Sequence, residues 1–176
     1  MAVRIILDAG HGGRDSGAAY QDRLEKEDNL NLTLAVGRLL EENGFDVVYT
    51  RVDDIYQPPF QKATTANNLG GDLFVSIHRN SSGIPNQYQG VETLVYTNAG
   101  LPQMAAENIN KELESVGFIN LGIDERPELI VLNSTQMPAV LVEVGFLNSD
   151  ADNQLFDQRF EETAQAIAAG IEETFS

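Results

Sequence analysis

The chain has two histidines, and each lies at or just beyond the end of an apolar run. Ile5-Ile6-Leu7-Asp8 leads through Ala9 and Gly10 to His11, and Phe74-Val75-Ser76-Ile77 leads to His78. A third run, Ala139-Val140-Leu141-Val142, ends in Glu143. Short apolar runs rich in β-branched residues and bounded by turn residues read as buried strands. In open α/β sheets ligands gather beyond the carboxyl ends of the strands. If these three strands are parallel neighbours, two imidazoles and carboxylates converge there. That is the donor set of a zinc site that keeps one position open for water. The chain has no cysteine, so thiolate zinc sites, disulfides and cysteine nucleophiles are excluded, and a metal must be held by His, Asp or Glu.

Each of these residues also has a plainer reading. A lone histidine after a strand is more often a hydrogen-bonded structural residue than a ligand; it is the pair that favours a metal. Gly10-His11-Gly12-Gly13 has neither the dinucleotide spacing nor the Gly-Lys-Ser/Thr ending of a phosphate loop, but its glycines let an ion or a bulky substrate come close. The third ligand should be an acid. Glu25 and Glu27 stand just before a helix, where capping and the helix dipole favour acids in any case, and composition does not choose between them. Glu143 differs, because a carboxylate directly after four apolar residues is costly unless paired, protonated or at a metal.

These side chains need a scaffold. At 176 residues the chain fits one domain spanning 1–176. Residues 29–44 carry Leu32, Ala35, Val36, Leu39 and Leu40 on one helical face, opened by Asp28 or Asn29 as cap and closed by Asn43-Gly44. A strand at 45–50, a helix at 60–69 after Pro58-Pro59, and strands at 73–78 and 91–96 follow. A helix opened by Pro102 ends at Gly117, residues 129–132 and 139–144 are the last strand candidates, and residues 157–175 form a terminal amphipathic helix. Strands alternating with helices predict an α/β domain with a twisted, mostly parallel sheet and helices on both faces. The irregular stretches 81–89 and 119–128 are the candidate cleft walls.

Charge and composition narrow the partners. Eleven Lys and Arg against 27 Asp and Glu give 11 − 27 = −16, which disfavours nucleic acid and anionic membrane surfaces. Hydrophobic residues at 42% and charged residues at 22% suit a packed core rather than a disordered chain. No segment approaches the roughly 18 apolar residues of a membrane span, and the first ten residues do not read as a secretion signal.

The residues also resemble a known family. Leu7-Asp8-Ala9-Gly10-His11-Gly12-Gly13 with Asp15 and Gly17-Ala18, Glu25-Lys26 leading to Asn29-Leu30, Ser76-Ile77-His78, and Met137-Pro138-Ala139-Val140-Leu141-Val142-Glu143-Val144-Gly145-Phe146-Leu147 are similar, in order, to the zinc-dependent N-acetylmuramoyl-L-alanine amidases of the Amidase_3 type. Four blocks in sequence order make a far more specific match than any one alone. The resemblance implies a peptidoglycan hydrolase that cleaves the amide between the lactyl group of N-acetylmuramic acid and L-alanine, with zinc on His11, Glu25 and His78 and with Glu143 as acid/base. It takes Glu25 over Glu27, because the family's metal-binding Glu precedes a Lys four residues before the Asn-Leu pair. It assigns Arg126 and Glu92 to the lining or buttress of the cleft. An extracytoplasmic monomer acting at the cell wall is expected, as autolysin or endolysin, with any wall-binding domain outside this chain. The runner-up is a zinc peptidase, and a wall-binding module without activity stands behind it. Arg79 in place of a small residue, Asn133 where Arg is frequent, and Asn148-Ser149 for the usual Ser-Asn pair depart from the family pattern and bear on cleft electrostatics.

Overall fold

The computed structural model describes residues 2–176. The elements run β1 (Arg4–Ala9), β2 (Ala19–Tyr20), β3 (Arg23–Leu24), α1 (Glu25–Glu42), β4 (Asp46–Tyr49), α2 (Pro59–Leu69), β5 (Leu73–Asn80), β6 (Val91–Val95), α3 (Gly100–Val116), β7 (Asn120–Glu125), α4 (Ile130–Asn133), β8 (Ala139–Phe146), α5 (Asp150–Gln158) and α6 (Phe160–Thr174). Six strands form one sheet in the order β4-β1-β5-β8-β6-β7, and β2 and β3 make a separate small hairpin. β4, β1, β5 and β8 are mutually parallel; β6 runs antiparallel to β8 and parallel to β7.

The continuous apolar runs follow from burial on both faces of the sheet. Strand alternation sends Ile5 and Leu7 into a core shared with α1, α3 and α6, and Ile6 and Phe74 into a smaller core roofed by residues of α2 and α4. Ile5, Ile6, Leu7 and Phe74 are fully buried, which stabilises by about 1.5–3 kcal/mol per side chain. α3 and α6 approach so closely that a Cβ on Gly170 would lie 2.6 Å from the Ile109 Cα.

Four predicted features change. α1 begins at Glu25 rather than at Asn29, because Ala18 and Ser16 carbonyls accept from the Glu25 and Lys26 amides at 2.9 and 3.0 Å and take the place of a side-chain cap. Residues 129–132 are not a strand: α4 is a single helical turn that packs Val131 and Leu132 down onto the sheet. A four-residue apolar run cannot be told apart by periodicity. The terminal helix is two helices meeting at Arg159, and α5 starts at Asp150 under a Ser149 cap that accepts from the Asp152 amide. The stretch 119–128 contains β7, an edge strand whose residues are largely exposed and therefore carry no apolar alternation.

Candidate metal centre

Parallel pairing brings the strand ends together as expected. His78 of β5 is the register partner of Glu143 of β8, and Glu143 is in turn opposite Glu92 of β6. By alternation Asp8, Ser76, His78 and Glu143 share the α2/α4 side of the sheet, and the turn after β1 carries His11 over the same edge. Glu25 enters from the first residue of α1. His11 Nε2 is 3.2 Å and His78 Nδ1 is 3.0 Å from Glu25 Oε1, and the three donor atoms lie within 4.8 Å of one another. Glu27 is exposed and lies outside this group, whose acid is Glu25.

These donors fit a zinc ion. Bonds of about 2.0–2.2 Å in a tetrahedral arrangement set neighbouring ligand atoms about 3.3 Å apart, close to the two separations observed. The Asp15 carboxylate at 2.8 Å from His11 Nδ1 draws the ring proton to that nitrogen and leaves Nε2 with its lone pair toward the site. Glu25 is oriented in the same way. Its Oε2 accepts from the Ala18 amide at 2.8 Å, and its Oε1 from Asn29 Nδ2 and the Arg79 amide, each at 3.2 Å. The site also needs room that only glycine gives: a Cβ on Gly10 would come within 2.3–2.6 Å of the His78 ring, and one on Gly17 within 2.5 Å of Glu25 Oε2.

The electrostatics of the cluster favour positive charge. Burial works against a charged His11, but hydrogen bonds and charge from Glu25 and Asp15 outweigh it and push the imidazole up to about 9. Burial likewise opposes the Glu25 carboxylate, and His11 and His78 overcome it to hold the group far below its ordinary range. A metal dication held between these groups would supply positive charge beside the Glu25 carboxylate.

Glu143 brings an unpartnered oxygen to the site. Its Oε2 is buried and accepts no hydrogen bond. Burial, with Glu25 and Glu92 adding to it and the two histidines opposing, pushes its carboxyl up to about 7. Glu92 accepts from Asn80 Nδ2 at 2.9 Å and buttresses the row from the far side. A pocket beside the histidines is lined by Pro59, Leu129, Ile130 and Leu141, so α4 walls it where a strand was expected. The 81–89 loop is tied to the turn after β8 through Ser82 with Asn148 and to the start of α5 through Asn86 with Asp150, and is absent from the lining of this pocket. Arg126 is half-buried and paired to Glu128 two residues on.

Arg79 proves to face away from the cleft. Its side chain is buried on the opposite side of the sheet, donating to Asp28 and the Val144 carbonyl, each at 2.8 Å, and lying 4.3 Å over the Phe156 ring. Asn133 donates to the Pro127 carbonyl and Ser149 caps α5, so those departures serve local structure. Sequence reasoning missed the support under β1. Asp8 receives Lys62 at 2.8 Å and the Ser76 and Thr50 hydroxyls, each at 2.6 Å. Burial opposes the Asp8 carboxylate, but Lys62 and the two hydroxyls outweigh it and hold the group below its ordinary value. An acid inside an apolar strand was the available signal.

The family described as N-acetylmuramoyl-L-alanine amidase, Amidase_3, matches residues 5–173. A sporulation-specific N-acetylmuramoyl-L-alanine amidase of Bacillus subtilis is 34% identical over 99% of this chain and 69% of its own length. An endolysin of Bacillus phage SPP1 is 33% identical over 98% of this chain and 66% of its own. Among solved structures, the catalytic domain of the amidase CwlV from Bacillus (Paenibacillus) polymyxa var. colistinus superposes with a TM-score of 0.89 at 37% identity, covering 98% of each chain. An N-acetylmuramoyl-L-alanine amidase from Clostridium difficile 630 gives 0.92 at 31% identity over 99% of this chain and 97% of its own.

Proposed function

This chain belongs to the Amidase_3 family of N-acetylmuramoyl-L-alanine amidases, and from that membership we propose that it hydrolyses the lactyl–L-alanine amide of peptidoglycan with the help of a zinc ion held by His11, Glu25 and His78. The observation that carries the reading is the convergence of His11 Nε2, Glu25 Oε1 and His78 Nδ1 next to a buried carboxyl, Glu143, that has an oxygen to spare. When bound, zinc supplies a Lewis acid that polarises the scissile carbonyl and makes a water easier to deprotonate at neutral pH.

The chain's own groups do the remaining work. Asp15 and the Ala18 amide fix His11 and Glu25, so that the ligand atoms do not reorganise during reaction. Glu143 accepts the proton of the attacking water on its free Oε2 and later gives it to the leaving alanine nitrogen, which an unactivated amide requires. Its carboxyl at about 7 suits neither role to the exclusion of the other, and a cation in the triad favours its ionised form at the moment it must act as base. Arg126 and Glu92 remain flanking residues, the first for substrate contact and the second, opposite Glu143 on β6, for holding Asn80. The site of action is the cell wall, outside the cytoplasm, and among the described residues no helix is long and apolar enough to cross a membrane.

Mass spectrometry of purified sacculi digested by the zinc-loaded protein tests this. The expected product is stem peptide with a new L-alanine amino terminus. Peptide-internal or glycosidic cleavage, or intact sacculi with zinc fully loaded, would refute it.

A further inference from the structure

The turn that carries His11 has an unusual backbone. His11 has φ 62, and Gly12 and Gly13 follow with φ 135 and 58, so three consecutive residues adopt conformations that L side chains rarely take, one of them a histidine. A non-glycine residue stays in such a conformation only when its surroundings over-determine it. Here the surroundings are buried cations. Arg51 Nε donates to the Ala9 carbonyl at 3.0 Å, and its Nη2 to the Gly10 carbonyl at 3.0 Å. Lys62 Nζ donates to the Ala9 carbonyl at 2.6 Å and the His11 carbonyl at 3.3 Å. Both residues are only 3% exposed. The two come from different elements, Arg51 just after β4 and Lys62 from α2, yet they meet on the Ala9 carbonyl and between them hold three successive carbonyls.

We propose that Arg51 and Lys62 are positioning residues of the metal centre: together they clasp the Ala9, Gly10 and His11 carbonyls, hold His11 in its left-handed backbone, and so aim its Nε2 at Glu25 and His78 before a metal arrives. The proposal rests on the metal-site reading above. Neither cation touches the ligand nitrogens or oxygens, so their effect passes through the backbone alone. Among the described residues Arg51 has only carbonyl partners, the others being those of Lys26 and Asp53, so its head is not part of an ion pair that folding needs. Lys62 is shared with Asp8, which ties the clasp to the end of β1 through one carboxylate. Charge-assisted bonds to carbonyls are stronger and shorter than neutral ones, which suits a strained turn.

The test is the affinity of the folded apoprotein for zinc alone, read by competition with a chromophoric chelator, with circular dichroism as a check on fold. Arg51→Gln removes the grip on Gly10 without stranding a buried charge. Asp8→Asn with Lys62→Met removes the second cation together with its counter-charge, so no lone ion is left inside. Each should weaken zinc binding by about 10–100-fold, as loss of a ligand-orienting contact does, while the spectrum of the apoprotein is unchanged. Lys62→Arg keeps the charge and the donors and should return the affinity to within about threefold of the parent, since charged guanidinium donors serve carbonyls as well. A role in stability alone predicts a lower melting temperature with unchanged zinc affinity of the folded form; that result, in Arg51→Gln and the double variant, overturns the clasp. Should the double variant not fold, Arg51→Gln decides alone. A parent chain that binds no zinc refutes the metal reading and the clasp with it.

Discussion

Gly10→Ala should empty the metal site without unfolding the protein. The added Cβ would lie 2.3 Å from His78 Cε1, 2.4 Å from Nε2 and 2.6 Å from Nδ1, where ordinary contacts begin at 3.4 Å. The backbone cannot yield, since the Gly10 amide donates to the Ile77 carbonyl at 3.0 Å and its own carbonyl is held by Arg51 and Asn29. The imidazole must therefore retreat by about 1 Å, several times the roughly 0.2 Å that zinc–ligand distances tolerate. Structural zinc sites are worth about 10–16 kcal/mol over four ligands, or about 2.5–4 kcal/mol for one of them. Zinc affinity should then fall by about two to three orders of magnitude, at about 1.4 kcal/mol per factor of ten. Gly10 is not among the residues with positive φ, so alanine can adopt its backbone and the circular dichroism spectrum should be retained. Chelator competition measures the loss, and Gly83→Ala, with nothing within 4 Å of the new methyl, is the control. Zinc binding within a few-fold of the parent would show that His78 is not held where its ring is described, and the argument would fail.

Other outcomes follow from the same geometry. Glu143→Gln should keep zinc and fold and lose about two to four orders of magnitude in muropeptide release, the usual worth of a positioned acid/base; near-normal release with full zinc removes Glu143 from the mechanism. Arg126→Ala should shift thermal stability by less than about 0.5 kcal/mol, because its pairing with Glu128 is exposed, and unchanged turnover on peptidoglycan would reduce it to a solvated charge. Asp8 is held below its ordinary value, so its contribution to stability is present above the unfolded carboxylate value near pH 4 and is lost as pH falls through the lower folded value. Equilibrium unfolding between about pH 4 and 2 should accordingly show a shallower acid loss in Asp8→Asn with Lys62→Met than in the parent, and parallel curves would contradict the assignment.

Much of the architecture was legible because the strands that position the site are buried on both faces and therefore announce themselves as apolar runs. The runs also give the placement of His11, His78 and Glu143 at those ends. What stayed hidden has a common cause: it depends on partners remote in sequence. The choice of Glu25 needed either the family pattern or the Ala18 and Ser16 carbonyls that start α1 four residues early. β7 escaped because an edge strand facing water has no buried face to impose alternation. α4 was mistaken for a strand because four apolar residues carry too little period to decide. Arg79 looked like a change to the cleft, yet alternation alone puts it on the opposite face from His78, and the neighbours it braces there are unseen in sequence.

The turn after β1 and the start of α1 have a bearing on how the protein assembles. His11 and Glu25 are fourteen residues apart and are joined by one small unit, in which Asp15 meets His11 and the Ala18 amide meets Glu25. His78 lies 53 residues beyond Glu25 and joins only when β5 docks beside β1. Closing the longer loop costs about 1.2 kcal/mol more chain entropy than closing the shorter, at about 0.6 kcal/mol per doubling. The local pair is thus the part of the cluster that a nascent chain can form first, and His78 completes it once the central strands have paired. A cation held by all three would therefore be captured late in folding, and would lock the finished sheet rather than nucleate it.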